Sequence, residues 1–348
     1  MAKRRIIIIL VMTLTINVFA FNLTEFATVV VGKSSYTCYR HERYVYVVSR
    51  ADKKVSVVDL LSGKTKLTIT EGMAMPVMAV SDGKRIYVSD SWRNSIIVYD
   101  MRGRILTSIR VGIMPGALKL HEGKLYVSST KYPYIWVVNL KTLKKEKTIR
   151  TYSPTPFFGF LKNGDFFYLN YKNYIPGVPR SSDVVAVING RIYRGDLKGP
   201  RVILESRYGT FVAGFYDGKI ARLGKTVLNV EARTTLFITC MVEFSGSIIV
   251  SSIGDDELHV FEPILMKEYT TVKVKGKVVD MKVLFDHLLI LTHDPDRLHV
   301  LDEDLKIIAT FDAPMYPVAI FAAPTIRKVG VLGADEGILK IFSVKEAG

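Results

Sequence analysis

The chain has 348 residues, of which 49% are hydrophobic and 23% charged, and its formal net charge is +15. Basic residues are spread along the whole sequence, apart from one short group formed by Lys141, Lys144, Lys145 and Lys147. Proteins that bind nucleic acid usually concentrate positive charge on one face or element, so this distribution argues against nucleic acid as the partner. An anionic envelope polymer or membrane surface remains compatible with the charge.

The first twenty residues have the organisation of a secretory signal peptide. Three basic residues at positions 3–5 precede an uncharged apolar run, and Val18 and Ala20 suit the −3 and −1 positions of a cleavage site before Phe21. The apolar run at 6–20 is shorter than the ~20 residues of a transmembrane helix, although an uncleaved anchor is the alternative. Cleavage would lower the net charge from +15 to +12 by removing three basic residues. We expect a periplasmic or extracellular protein with no later membrane span.

A short phrase of alternating apolar residues recurs down the chain and closes on a polar residue. The closing residues are Asp59, Asp100, Asn139, Glu262, Asp302 and Ser343. They are separated by 41, 39, 123, 40 and 41 positions, and 123 is three periods of 41. A repeat of about 40 residues made of short strands is typical of a β-propeller, in which each repeat forms one blade.

Each repeat predicts four antiparallel strands, named a to d from the propeller axis outward. In the second repeat an apolar strand begins at Pro76, and the turn Asp82-Gly83 leads into the strand at 87–90. An Asp-Gly pair between alternating strands predicts a hairpin, because glycine tolerates a positive φ. The recurring phrase at 96–100 is the third strand, and a fourth follows at 105–111.

These residues resemble the YVTN family of β-propeller repeats. Residues 73–112 match the family pattern almost throughout, from the proline-led first strand to the closing Ile109-Arg110-Val111-Gly112, and residues 34–72 and 113–151 match well. The middle of the chain matches less well, with an insertion at 172–182 and a short unit around 211–224. The resemblance implies a propeller fold for the mature chain. It implies no function, because the matching positions serve packing and turns.

Counting third strands predicts eight blades, and seven would result if the fourth and fifth units formed one irregular blade. The last unit has three strands, whereas the segment at 26–32 reads as a spare strand ahead of the first complete unit. Pairing 26–32 with 338–342 would close the ring and cover two edge strands. We therefore predict an all-β chain in which residues 21–348 form one propeller domain, closed by its N-terminal strand.

Two compositional features bear on the environment of the protein. Cys38 and Cys240 fall in the inner strands of the first and sixth repeats, which are not adjacent on a ring, so we expect both thiols to be unpaired. The sequence contains no glutamine, and scarcity of thermolabile amides beside abundant Lys, Arg and Glu is a tendency of thermophile proteins.

Candidate binding residues lie in the loops of the top face, which join strand d to the next strand a and strand b to strand c. Loops on a rigid scaffold commonly carry function. The candidates are Met75, Met114, Tyr152 and Tyr316 in d–a loops, and Trp92, Arg93, Tyr132, Tyr134, Tyr171 and Tyr174 in b–c loops. Aromatic residues, methionine and arginine are enriched in interfaces, which favours a protein partner or extended ligand. The alternative is that these side chains pack loop against loop.

Nothing in the sequence indicates catalysis directly. There is no G-x-S-x-G, H-E-x-x-H or phosphate-loop motif. A metal in the central channel, as in propeller lactonases, would need carboxylates and amides on the inner strands. Those strands read as mostly apolar, with Met78, Leu118, Phe158, Met241 and Val318.

Acidic loops and two histidines also favour structural roles over a metal site. The segments at 255–257 and 294–296 hold carboxylates but lack a calcium-loop pattern. His259 and His299 occupy equivalent positions one repeat apart, which indicates packing between blades. We expect a binding protein without catalysis, cofactor or metal. The alternatives are a channel-metal hydrolase and a structural component of the cell envelope.

Overall fold

The computed structural model describes residues 21–174, 183–224 and 228–346. These residues form eight four-stranded antiparallel sheets arranged as a β-propeller, with two single-turn 3-10 helices at Tyr171–Asn173 and Pro324–Ile326. The prediction of eight blades is confirmed, and the fourth and fifth units form separate blades. Most of the predicted insertion, at 175–182, lies outside the described residues. Within the described part of the chain, no helix has the length and hydropathy to cross a membrane.

The first four blades follow the chain order from strand β2 to strand β17. Blade 1 contains β2 (Thr37–His41), β3 (Tyr44–Ser49), β4 (Lys54–Asp59) and β5 (Lys64–Ile69). Blade 2 contains β6 (Pro76–Ser81), β7 (Arg85–Asp90), β8 (Ser95–Asp100) and β9 (Ile105–Arg110). Blade 3 contains β10 (Pro115–His121), β11 (Lys124–Ser129), β12 (Tyr134–Asn139) and β13 (Lys144–Arg150). Blade 4 contains β14 (Phe158–Phe160), β15 (Phe166–Leu169), β16 (Val184–Ile188) and β17 (Arg191–Arg194).

The other four blades continue this pattern until the last one, which takes its outer strand from the start of the chain. Blade 5 contains β18 (Pro200–Ser206), β19 (Gly209–Gly214), β20 (Lys219–Leu223) and β21 (Leu228–Arg233). Blade 6 contains β22 (Ile238–Phe244), β23 (Ser247–Ser252), β24 (Glu257–Glu262) and β25 (Lys267–Lys273). Blade 7 contains β26 (Lys277–Leu284), β27 (His287–His293), β28 (Arg297–Leu301) and β29 (Ile307–Asp312). Blade 8 contains β30 (Pro317–Ala323), β31 (Lys328–Gly333), β32 (Ile338–Glu346) and β1 (Phe21–Val30).

The hydrophobic core consists of eight clusters, each between two neighbouring blades. Strands b and c are buried on both faces, because each sheet has a blade on either side, and so they read as nearly continuous apolar runs. Outer strands such as β13 are mostly exposed. The cluster between blades 3 and 4 has the fewest buried residues, consistent with the three-residue inner strand of blade 4.

The N-terminal strand closes the ring, as predicted. Strand β1 pairs antiparallel with β32, from Phe21 opposite Glu346 to Val30 opposite Ile338. Directly after β1, the N–H groups of Val31 and Gly32 donate to the Gly337 carbonyl at 2.7 and 3.2 Å. The pairing begins five residues earlier than the predicted start at 26. Both strands would otherwise be edges of the sheet with unpaired backbone groups.

The predicted Asp-Gly hairpin of blade 2 is held by the Asp82 carboxylate. Its Oδ1 accepts the N–H groups of Lys84 and Arg85 at 2.9 and 2.7 Å, and its Oδ2 accepts the Tyr87 hydroxyl at 2.8 Å. Burial, reinforced by the Asp82 carboxylate, raises the pKa of Tyr87 to about 12.

Removing the Tyr87 hydroxyl should weaken this turn. We expect Tyr87→Phe to lower the free energy of unfolding by about 1.5–3 kcal/mol, because a hydrogen bond to a charged acceptor is lost. Urea unfolding would measure the change. Tyr132→Phe is the control, because the Tyr132 side chain is exposed. This variant should leave the midpoint of the urea transition unchanged. Equal effects of the two variants would contradict the assignment.

Candidate functional site

A polar residue at the end of strand b positions the top-face loops. In blade 2 the Asp90 Oδ2 accepts the N–H groups of Ala74 and Met75 at 2.5 and 3.1 Å, and its Oδ1 accepts the N–H of Arg93 at 3.0 Å. The d–a and b–c loops are therefore tied to one carboxylate. This arrangement brings Met75 and Trp92 to the same cavity.

A similar hydrogen-bonding arrangement recurs in blade 3, where a serine replaces the aspartate. The Ser129 hydroxyl donates to the Ile113 carbonyl at 2.8 Å and accepts the N–H groups of Lys131 and Tyr132 at 3.2 and 3.0 Å. The small polar residue that closes strand b in the repeat thus serves to fix the loops that display the candidate residues.

Three of the predicted residues belong to a largely aromatic strip across blades 7, 8, 1 and 2, which we call the exposed row. Its members are Trp92, Met75, Tyr36, Tyr316 and His293. Trp92 is 70% exposed. Together with Met75 and Tyr36 it lines a cavity of about 420 Å³, which Arg50 and Lys53 also line. The rings of Tyr36 and Tyr316 meet edge to face at 6.3 Å, and Tyr316 meets His293 at 4.7 Å. Sequence reasoning missed Tyr36, although it lies in a d–a loop like the predicted Tyr316.

Tyr171 and Tyr174 belong to a second group, over blades 4 to 6, which we call the mouth cluster. Its members are Phe157, Tyr171, Tyr174, Phe215, Tyr216 and Phe237. Tyr171 contacts Phe157, Tyr216 and Phe215 at ring-centroid distances of 5.0, 6.1 and 6.4 Å. Tyr216 also contacts Tyr174 at 6.0 Å, and Phe215 contacts Phe237 at 5.2 Å. These rings pack mainly on one another, so the loop-packing interpretation fits this group better than it fits the exposed row.

A buried polar network supports the mouth cluster. The Asn173 side chain donates to the Leu197 carbonyl at 2.7 Å and accepts the Gly199 N–H at 2.8 Å. Lys219 ion-pairs with the carboxylates of Asp196 and Asp217. The hydrogen bond from Lys219 lowers the pKa of Asp196, whereas burial raises the pKa of Asp217. These contacts fix the d–a loop that enters blade 5.

The other predicted residues are members of neither group. Arg93 is exposed beside Trp92, and Tyr132 and Tyr134 are exposed on blade 3 with no ring contact to Trp92 or Tyr171 in the described part of the chain. Met114 is half-buried, and Tyr152 lines a cleft of about 590 Å³ between blades 3 and 4. The top face therefore carries several separate aromatic surfaces.

The central channel combines an apolar wall with charged residues. Phe158 and Met241 line its cavity, as the sequence predicts, although each buries most of its surface between blades, whereas Leu118 is buried between blades 2 and 3. Because side chains alternate along a strand, Lys119, next to Leu118, faces the cavity instead. A cavity of about 370 Å³ is lined by inner-strand residues of blades 3 to 7, and its charged residues are Lys119, Arg201, Asp280 and Lys282.

Positive charge exceeds negative charge in this cavity. Lys282 donates to the Asp280 Oδ1 at 2.9 Å, and the Asp280 Oδ2 accepts the Ile320 N–H at 2.9 Å. Arg201 lies 5.0 Å from the Phe215 ring centroid and 5.8 Å from that of Phe157. Among the described residues, neither Arg201 nor Lys119 has a carboxylate within ion-pair distance. Burial lowers the pKa of Lys119, whereas the Asp280 carboxylate outweighs burial and raises the pKa of Lys282.

Both cysteines are free thiols, as predicted. Burial raises the pKa of Cys38 and of Cys240 to about 12. Because the thiolate is the reactive form, we expect iodoacetamide at pH 8 to leave the native protein unmodified and to label both residues after denaturation. Intact mass spectrometry without reductant measures the number of labelled thiols in the native and in the denatured protein. A mass lower by about two hydrogens, with no labelling, would instead reveal a disulfide.

The two histidines considered for metal binding are buried and hydrogen-bonded. His259 contacts Asp255 and Glu268 at 3.0 and 3.2 Å, and His299 contacts the Thr310 hydroxyl at 2.9 Å. In the ranges that the structure describes, no group of three or more His, Cys, Asp or Glu side chains is arranged to hold a metal ion.

Comparison with known proteins identifies the fold. Neither a family model nor a curated protein sequence matches the chain. The computationally designed protein Ika8 is similar over 92% of this chain and 99% of its own, with a TM-score of 0.72 and 12% identity. Sqt1 of Saccharomyces cerevisiae is similar over 93% of this chain and 98% of its own, with a TM-score of 0.71 and 11% identity. Kuenenia stuttgartiensis hydrazine synthase is similar over 91% of this chain and 96% of its own, with a TM-score of 0.55 and 12% identity. At these identities the likeness shows architecture alone, and similarity to the YVTN family stays a prediction.

Proposed function

We propose that this protein is an exported propeller scaffold that binds a protein partner or an extended ligand through its top face. The exposed row is the observation that carries the proposal. Trp92, Tyr36 and Tyr316 present large side chains to solvent across neighbouring blades. Large aromatic side chains grouped in this way on a surface commonly mark an interaction site.

The chemistry of the exposed row suits recognition. Burying one such aromatic side chain against a partner contributes about 1.5–3 kcal/mol, and tryptophan, tyrosine and arginine dominate interface hot spots. Arg50 and Lys53 line the same cavity as Trp92 and Tyr36. Their positive charge favours a partner or polymer with acidic groups near its apolar contacts. No nucleophile or acid–base pair is needed for this role.

Site-specific crosslinking tests the surface. Benzoylphenylalanine placed at Trp92 is expected to give a discrete photoadduct when the protein is expressed in its host. The matched control is Leu265, an exposed apolar residue in the c–d turn of blade 6, on the opposite face. An adduct at both positions, or at neither, would count against a specific top-face site.

Affinity for the captured partner separates binding from packing. We expect Trp92→Ala to weaken the partner's affinity by about tenfold or more in isothermal titration calorimetry, with little change in melting temperature. Leu265→Ala should change neither quantity. If Trp92→Ala instead lowers the melting temperature strongly and spares the affinity, the exposed row serves packing and the proposal fails.

Export is proposed from the N-terminal sequence and is tested separately. N-terminal sequencing of protein recovered from the periplasm or medium should begin at Phe21. Recovery of full-length protein from the membrane fraction would favour an uncleaved anchor, and recovery from the cytosol would contradict export. Persistent association with envelope polymer after detergent extraction would favour the structural envelope role.

The channel-metal alternative receives no support from the charge of the channel. Lys119, Arg201 and Lys282 line the cavity, against the single carboxylate of Asp280. A metal cation entering there would meet a net positive field, whereas metal sites supply carboxylate, imidazole or thiolate ligands. The same charge pattern leads to a different ligand class.

A further inference from the structure

We propose that the central channel is a second binding site, for a small ligand whose carboxylate or phosphate group lies between Lys119 and Arg201. This site is separate from the exposed row, which lies over blades 7, 8, 1 and 2. The two residues that would hold the anion come from blades 3 and 5. The inference does not depend on the proposed top-face partner.

The first argument is the charge balance within the cavity. Asp280 is already engaged, because its two oxygens accept Lys282 and two backbone N–H groups, those of Met281 and Ile320. It therefore has little capacity to neutralise Lys119 or Arg201. Cations that face water-filled space without a counter-ion are the usual means of binding carboxylate and phosphate groups.

The second argument is the available space. The inner strand of blade 4, β14, has only three residues, so Phe167 and Leu169 of the next strand also line the cavity wall. The resulting volume of about 370 Å³ falls within the roughly 300–1,000 Å³ typical of small-molecule sites. Blade 4 contributes a shorter inner strand to this wall than its neighbours do.

The third argument is the setting of Arg201 at the mouth cluster. Phe157 lines the cavity and also packs against Tyr171, so the cavity wall continues into the mouth cluster. The Arg201 guanidinium is within cation–π distance of both the Phe157 and the Phe215 ring, and contacts of this kind help to hold an arginine in place. The anionic group of a ligand would meet Arg201 and Lys119, and its apolar part would meet the aromatic wall.

Lys119 is available to a ligand, because it lines the cavity and its side chain is exposed. Lys119→Met should therefore change the melting temperature little in anion-free buffer, so that a loss of anion binding in this variant reports on the site rather than on the fold.

Titration of the mature protein with defined anions tests the site. Inorganic phosphate, citrate and benzoate are compared by calorimetry and by thermal shift at constant ionic strength, with sodium chloride as the reference. We expect saturable binding of at least one of the three. Lys119→Met and Arg201→Met should each weaken this binding by about tenfold or more, and Lys119→Arg should retain most of it.

Lys141→Met is the matched control, because Lys141 is an exposed lysine in a bottom-face turn and its loss should leave binding unchanged. Phosphate binding alone would assign a phosphate ligand, and binding of citrate or benzoate alone would assign a carboxylate. The proposal is overturned if no anion binds saturably. It is also overturned if Lys119→Met and Arg201→Met bind the anions as the wild type does, since the anions then occupy other parts of the basic surface.

Discussion

Leu23→Ala in the closing strand is expected to lower the free energy of unfolding by about 2–5 kcal/mol, the usual range for a large-to-small change in a core. Leu23 is 2% exposed and belongs to the cluster between blades 7 and 8, with Leu284 and Phe342. Val30→Ala in the same strand is the control, because Val30 is 70% exposed. Urea unfolding should separate the two variants clearly, and similar values for both would contradict the role of β1 in the core.

Deletion of residues 21–32 is the stronger form of the same test. It removes the partner of β32 along its whole length and the buried side chains of Leu23, Val29 and Val31. The combined loss is comparable to the roughly 5–15 kcal/mol of a typical domain's stability. We expect aggregation or loss of the cooperative transition, read by size-exclusion chromatography and thermal unfolding. A truncated protein that stays monomeric with an unchanged melting temperature would show that the ring does not need this strand.

The second large effect is expected at the ion pair beneath the mouth cluster. The side chains of Lys219 and Asp217 are only 10% and 11% exposed. Lys219→Met leaves the Asp217 carboxylate buried without its cation, and breaking a buried pair in this way costs about 3–5 kcal/mol. The exposed pair of Lys273 and Asp256 is the control. There Lys273→Met should cost no more than about 1 kcal/mol.

A second substitution identifies the cause of that loss. Asp217 accepts the Lys198 N–H at 3.1 Å, and asparagine keeps an acceptor for it while removing the charge. We expect Asp217→Asn to restore part of the stability lost in Lys219→Met. If Lys219→Met costs no more than Lys273→Met, the buried pair contributes little and the mouth cluster is held by its rings alone.

The number of blades and the closure of the ring could be predicted because both depend on spacing along the chain. The third strands recur about every 40 residues, and the last repeat lacks a strand that residues 21–30 provide. These signals survive even in blades 4 and 5. There the motif is weak, but third strands at 184–188 and 219–223 remain recognisable as short, largely apolar segments.

The channel and the grouping of the top-face residues could not be predicted in the same way. Whether Leu118 or its neighbour Lys119 lines the cavity depends on the orientation of each inner strand, which the irregular pairing near its start alters. Phe157, Phe215 and Tyr216 lie outside the repeat motif, and they become neighbours of Tyr171 only through tertiary packing. The signal that could have drawn attention to them is the density of aromatic residues in 157–174 and 215–216.

Shared use of one sheet by both ends of the domain has a consequence for biosynthesis. The partner of β1 is made only when translation reaches residues 338–346, so β1 remains unpaired until β32 has been synthesised. Until then blade 8 is incomplete and the ring is open. This order of assembly postpones the final closure of the ring until residues 338–346 have been synthesised, which would keep the chain competent for passage through a translocase if it is exported as proposed.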